Sequence, residues 1–235
     1  MRAAITTRMT DGPPPAGTCD LAALVKLQTW LSPAFPVGAF GYSHGLEAAI
    51  AGGLLRDSPG CHDWIATLLE YGSGWNDLVL LAAAHRAAAA GRDEDLTELA
   101  DLAAALSGSA ERRRETADLG AAFAAAAAPW GSGRGAAMPY PVGVGALAAQ
   151  QRVPLEAACA AFAHAFAANL LSVCVRLVPL GQREAVAILH AFEPVLERVA
   201  RCAGASTPDD LGSAAILSDI QAMRHETLET RLFRT

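Results

Sequence analysis

Ala157-Ala158-Cys159-Ala160-Ala161-Phe162-Ala163-His164-Ala165-Phe166-Ala167-Ala168-Asn169-Leu170-Leu171-Ser172-Val173-Cys174-Val175 runs for 19 residues without an Asp, Glu, Lys or Arg. A helix of that length could cross a bilayer. Three polar side chains, His164, Asn169 and Ser172, interrupt the run, much of the rest is alanine, and no second apolar segment of this length accompanies it. The segment Pro154 to Val178 is therefore predicted as the central helix of a soluble bundle, apolar nearly all round because other helices surround it.

The flanking sequence fits that centre. Asp20 or Cys19 starts a helix in which Leu21, Leu24, Leu27 and Leu31 recur at helical spacing, and Ser32-Pro33 ends it. A short helix from Ser43 stops at Gly52-Gly53. Ser58-Pro59 opens a helix carrying Trp64, Leu68 and Tyr71, and Gly72-Ser73-Gly74 breaks it before Trp75 to Ala90. Asp93 is the expected cap of the next helix, and Ala110 to Ala128 forms another before Pro129. A glycine-rich loop from Trp130 to Met138 separates these from Pro141 to Gln150. Gln182 to Ala203 is predicted as one amphipathic helix bent at Pro194. Thr207-Pro208 caps a short helix, and Ser213 or Ser218 starts the last. The sum is an all-α, single-domain bundle of about ten helices over residues 21–224, with no strand pattern, repeat or interdomain linker. Residues 1–20, polar and containing Pro13-Pro14-Pro15, are expected to be a disordered tail, and residues 225–235 a tail that orders on partner binding.

Composition narrows function. Of the 235 residues 52% are hydrophobic, dominated by alanine, which favours helices. A net charge of -6 disfavours nucleic acid and anionic membranes as partners. Arg112, Arg113 and Arg114, flanked by Glu111 and Glu115, are read as a solvated helix face. Five widely spaced cysteines without a C-x-x-C fit reduced thiols in a cytoplasm. No basic leader with an apolar core opens the chain.

The stretch Ser32 to Glu47 stands apart. Pro33 and Pro36 fix φ, Gly38 and Gly41 permit angles that a side chain forbids, and Phe35, Val37, Phe40 and Tyr42 load the loop with apolar surface for a helical body or a partner. Ser43 is the expected helix cap, with Glu47 in the first turn. Gly41-Tyr42-Ser43-His44-Gly45 also fits G-x-S-x-G, the serine hydrolase elbow, but that motif needs a preceding strand and this loop has none. Gly143 to Ala148 fits a loose dinucleotide motif with the same defect. Lys26, the only lysine, lies outside any glycine-rich loop, so the chain is not a P-loop GTPase. The six histidines form no H-E-x-x-H pattern, and no metal site, cofactor or catalytic residue is assigned.

Three motifs in order resemble the urease accessory protein F family. They are Ser32 to Glu47, Val175-Arg176-Leu177-Val178-Pro179-Leu180-Gly181-Gln182, and Asp219 to Glu226 with Arg231 to Thr235. Thr235 stands where the family pattern has Ser, and positions 183–186 depart from it. The resemblance implies a cytoplasmic, non-enzymatic chaperone for nickel insertion. In that picture the chain forms a homodimer and bridges a urease scaffold accessory protein and a nickel-carrying GTPase to apo-urease, with an effect on GTP hydrolysis. It also implies that Pro36, Gly38, Phe40, Tyr42, Ser43, Gly45, Glu47, Arg224, His225, Glu226, Arg231, Leu232, Phe233 and Arg234 contact partners. Two other classes remain open on the residues alone: a serine hydrolase using Ser43, and an unrelated helical interaction module.

Overall fold

α1 (Leu21–Trp30) starts where the Asp20 carboxylate accepts hydrogen bonds from the amides of Ala22 and Ala23, at 2.9 and 3.3 Å. The computed structural model that contains it describes residues 20–131 and 138–235. The expected disordered tail over residues 1–20 lies outside the described part except for Asp20, and of the expected glycine-rich loop from Trp130 to Met138 residues 132–137 lie outside it. After α1 the chain passes through the proline-glycine loop to α2 (Leu46–Ala51), α3 (Ser58–Tyr71), α4 (Ser73–Ala89), α5 (Asp93–Ala105) and α6 (Ala110–Ala126). The second half comprises α7 (Tyr140–Gln150), α8 (Leu155–Leu177), α9 (Gln182–Ala191), α10 (Glu193–Ala205) and α11 (Ile216–His225). Short 3-10 turns join several of them, and no strand occurs among the described residues. The fold is all-α.

Several boundaries differ from the sequence reading, and four of them have a local reason. Asp57, not Ser58, caps α3, by accepting from the Gly60 amide at 2.9 Å, which leaves Pro59 in the first turn where its missing N–H costs nothing. Arg92 occupies the cap position of α5, and Asp93 is its first residue. Pro194 does more than bend a helix: the chain ends α9 at Ala191 and restarts α10 at Glu193, with Pro194 in the new first turn. The last helix begins at Ile216 after Ala215, later than Ser213 and earlier than Ser218.

Two helices make the centre. α4 packs against α3, α5, α7, α8 and α10, while α8 packs against α1, α2, α3, α7, α9 and α10. α8 meets the length and hydropathy of a membrane span, yet 56% of its apolar window is buried inside the protein, as a core helix requires. α4 and α7 approach so closely that a Cβ on Gly145 would sit 2.2 Å from the Leu81 carbonyl oxygen. The single lysine is structural. Lys26 Nζ donates to the Gln151 carbonyl at 2.9 Å, neutralising an orphan acceptor at the C-terminal end of α7. Arg86 does the same for α10 through the carbonyls of Gly204 and Ser206. Cys61, Cys159 and Cys174 are free and buried, and burial pushes the Cys159 thiol up to about 12.

The α4–α7 contact generates a prediction. Gly145→Ala should overpack the interface and cost about 1–3 kcal/mol, lowering the melting temperature. Gly212→Ala, where a Cβ meets nothing within 4 Å, should not. Equal melting temperatures for the two variants would rule out close approach as the reason for glycine at 145.

Candidate functional site

The proline-glycine loop is fixed to the body by its first aromatic residue. Phe35 is buried, its ring 5.8 Å from Phe123 and 6.4 Å from Trp130. Asn169 and Arg176 on α8 hold the loop carbonyls of Ala39 and Phe40, at 2.9 and 3.1 Å. Pro36 and Phe40 point to solvent, Phe40 with 65% of its surface exposed, and Gly38 takes a positive φ of 80° in open space. Tyr42 and Ser43 are buried.

Two successive residues, His44 and Gly45, then adopt left-handed angles (φ 51° and 77°), and α2 begins one residue later. Gly45 occupies the cap position of α2, and the Ser43 hydroxyl, two residues earlier, accepts from the first-turn Glu47 amide at 3.4 Å. It donates to the main-chain oxygen of Thr235, and the Ser43 amide donates to the same oxygen at 2.9 Å. Glycine at 45 is required twice: by its angle, and because a Cβ there would lie 2.7 Å from the Ala222 amide nitrogen of α11.

Glu47 is where the loop and the tail meet. Although it is only 5% exposed, its carboxylate accepts from His225 Nε2 at 2.9 Å, the Leu232 amide at 2.7 Å and the Phe233 amide at 3.0 Å. His225, fully buried, places Nδ1 2.7 Å from Glu111 and so joins α2, α6 and α11. Arg231 reaches Glu111 at 2.5 Å, Glu226 accepts from the Ala110 amide at 2.8 Å, and the Arg234 amide donates to the Gly41 carbonyl at 2.7 Å. Phe233 is buried beneath the Arg176 guanidinium, 4.4 Å from its ring centre, while Arg234 lies over Tyr42 at 5.9 Å and Leu232 is 73% exposed. In this structure residues 225–235, read from sequence as a tail that orders on partner binding, lie against the body. Its main-chain amides at Leu232 and Phe233 bind a buried carboxylate.

Beneath this clasp lies a charged cluster that sequence reading missed. Arg112, assigned to a solvated face, is instead held between Asp77 at 2.5 Å and Glu115 at 3.1 Å with only 13% of its side chain exposed. Glu115 also accepts from His44 Nε2 at 2.9 Å and from the Thr235 hydroxyl at 3.3 Å. Burial would raise the Glu115 carboxyl, but the charges of Arg112 and His44, with the His44 and Thr235 hydrogen bonds, hold it at about 2. At Asp77 burial outweighs Arg112, and that carboxyl is raised. The cluster floors a cavity of about 780 Å³ between α1 and the alanine-lined side of α8. Only the i,i+3 spacing of Arg112 and Glu115 was visible in sequence. Asp77, 35 positions away from Arg112, was not.

The hydrolase reading of Ser43 meets this geometry poorly, because its hydroxyl is buried against Thr235 and no strand among the described residues precedes it. Ser73 does stand 3.2 Å from His44 Nδ1, but Arg112 engages Glu115, and the pocket beside Ser73 holds about 80 Å³, too little for an acyl substrate. Among the described residues no three His, Cys, Asp or Glu side chains are grouped to hold a metal ion.

The UreF family model matches residues 55–193. The chain belongs to this family. It is 51% identical over 217 residues to urease accessory protein UreF 1 of Brucella canis, covering 91% of this chain and 94% of that one. The urease accessory protein UreF of Rhizobium leguminosarum bv. trifolii is 50% identical over 223 residues, 93% of this chain and 99% of the relative. That of Agrobacterium fabrum is 50% identical over 220 residues, covering 92% and 97%.

Two predictions follow from the clasp and the cluster. Glu47→Gln can no longer accept from three donors, so Leu232 and Phe233 should lose amide-exchange protection, at a cost of about 1–3 kcal/mol, while α4 and α8 keep theirs; unchanged tail protection would remove Glu47 as the holding group. For pH, Glu115 has a folded value near 2 against an ordinary 4.5. A depressed folded value means that its stabilisation is fully present above pH 4.5 and lost as pH falls from there towards 2. The raised Asp77 carboxyl works in the opposite sense. Acid unfolding of Glu115→Gln should therefore show a shallower loss of stability between pH 4.5 and 2 than the natural chain, measured by urea titration at each pH; parallel curves would exclude Glu115 as the source.

Proposed function

We propose that this chain is a non-enzymatic accessory protein of urease maturation in the cytoplasm, which helps to place nickel in apo-urease. In this reading it acts as a homodimeric adaptor between a urease scaffold accessory protein and a nickel-carrying GTPase, and biases GTP hydrolysis by the latter. Nickel is the cargo of the assembly. Family membership across nearly the whole chain supports the general role. The observation that carries the adaptor role is the convergence of the two family motifs from opposite ends of the sequence. Residues 36–47 and 224–234 meet at Glu47 and leave Phe40, Arg224 and Leu232 exposed beside one another's supports. Exposed apolar and guanidinium groups on a hydrogen-bonded base are the usual material of interface hot spots.

Deleting the gene in a urease-positive host should leave urease protein present but poor in nickel and inactive, with activity restored by the natural chain. Phe40→Ala should weaken co-purification of the scaffold and GTPase with little change in melting temperature. Tyr42→Ala, at a buried position, should lower the melting temperature, as large-to-small core changes do. Undiminished urease activity in the deletion strain would overturn the proposal.

A further inference from the structure

The cavity between α1 and α8 holds two hydroxyl groups that have no hydrogen-bond partner among the described residues. Thr116 of α6 is 4% exposed and Tyr140 is the first residue of α7; both line the cavity beside its charged floor. Buried hydroxyls are normally paired. The unpartnered side-chain atoms that are also closed off from all solvent space are the indole nitrogens of Trp30 and Trp64, so the two hydroxyls face space that a bound molecule can enter. Burial, and after it the charge of Asp77, raises the Tyr140 hydroxyl, which therefore stays a neutral donor.

The walls are mostly apolar. Ala157, Ala161, Ala165 and Ala168 follow one another at i, i+4, i+8 and i+11 on one side of α8, and share the cavity with Leu24 and Leu27 of α1. Side chains no larger than a methyl group hold it open at about 780 Å³, a size usual for sites that take small organic molecules. Phe40 and His164 line it and are exposed, so it opens to the surface.

We infer that this cavity binds a neutral amphiphile, a molecule with an alkyl or alicyclic body and an alcohol head. The body displaces water from the alanines of α8 and the leucines of α1, and the head exchanges hydrogen bonds with Thr116 and Tyr140. Charge decides the choice of head. At the floor Arg112 is bound by both Asp77 and Glu115, and the His44 ring by Glu115 and Ser73. A carboxylate or ammonium head would thus leave water without a free group of opposite charge to receive it. A hydroxyl needs none.

The inference does not depend on the adaptor role. Equilibrium dialysis of the purified full-length chain against radiolabelled decanol, decanoate and decylamine tests it. Decanol should be taken up saturably and held at least roughly ten-fold more tightly than either charged analogue. Thr116→Val removes a hydroxyl that has no partner within the chain, so the melting temperature should not fall, while decanol affinity should drop about five-fold, as for one lost hydrogen bond. Ala161→Phe fills the cavity and should abolish uptake. No saturable uptake by the natural chain, equal affinity for the three probes, unchanged affinity in Thr116→Val, or full uptake by a folded Ala161→Phe chain would each overturn the inference.

Discussion

Glu47 is the constraint on which the functional end of the molecule depends. A carboxylate this deeply buried is tolerated only if its lone pairs are filled, and the three donors come from two places: the ring of His225 and the main chain of Leu232 and Phe233. Satisfying one side chain therefore fixes α2 against α11 and lays the tail over the loop. Gly45 allows it, because only a residue without a Cβ brings the start of α2 against the α11 backbone.

The body obeys a different rule. α4 and α8 are held mainly by apolar burial and by close helix approach at glycine and alanine, with Lys26 and Arg86 binding the carbonyls at helix ends and Asp77 of α4 paired to Arg112. Burial of this kind is non-directional and tolerant of volume-conserving change. The clasp is directional and intolerant. Removing one partner of a buried pair strands the other, so His225, Glu47 and Glu111 stand or fall together.

Much of the scaffold was legible because it is local. Asp20 and Thr207 cap what they were expected to cap, Gly72 breaks the chain between α3 and α4, and Ala157 to Val175 is a core helix despite its length. The candidate site was only half legible. Its residue types stood out, but their pairing joins positions more than a hundred apart: Glu111 to His225, Ser43 to Thr235 and Glu115 to Thr235. Arg112 was misread for the same reason. Beside Glu111 and Glu115 it looks like a solvated arginine, and nothing near it in sequence announces Asp77. Tyr42 and Phe40, two residues apart in a loop, gave no sign that one would be buried and the other exposed.

The contrast between clasp and body bears on how such a protein works with others. Where apolar burial holds an element, detaching it exposes that surface to water; where buried hydrogen bonds and ion pairs hold it, net stabilisation is small because desolvation offsets most of the attraction. α11 is of the second kind, polar within and, at Ile216, Ile220 and Met223, apolar without, while the tail adds one apolar anchor, Phe233, to its hydrogen bonds. Covering the outer side would remove the exposed part of those side chains from water while the hydrogen-bonded clasp beneath stays closed.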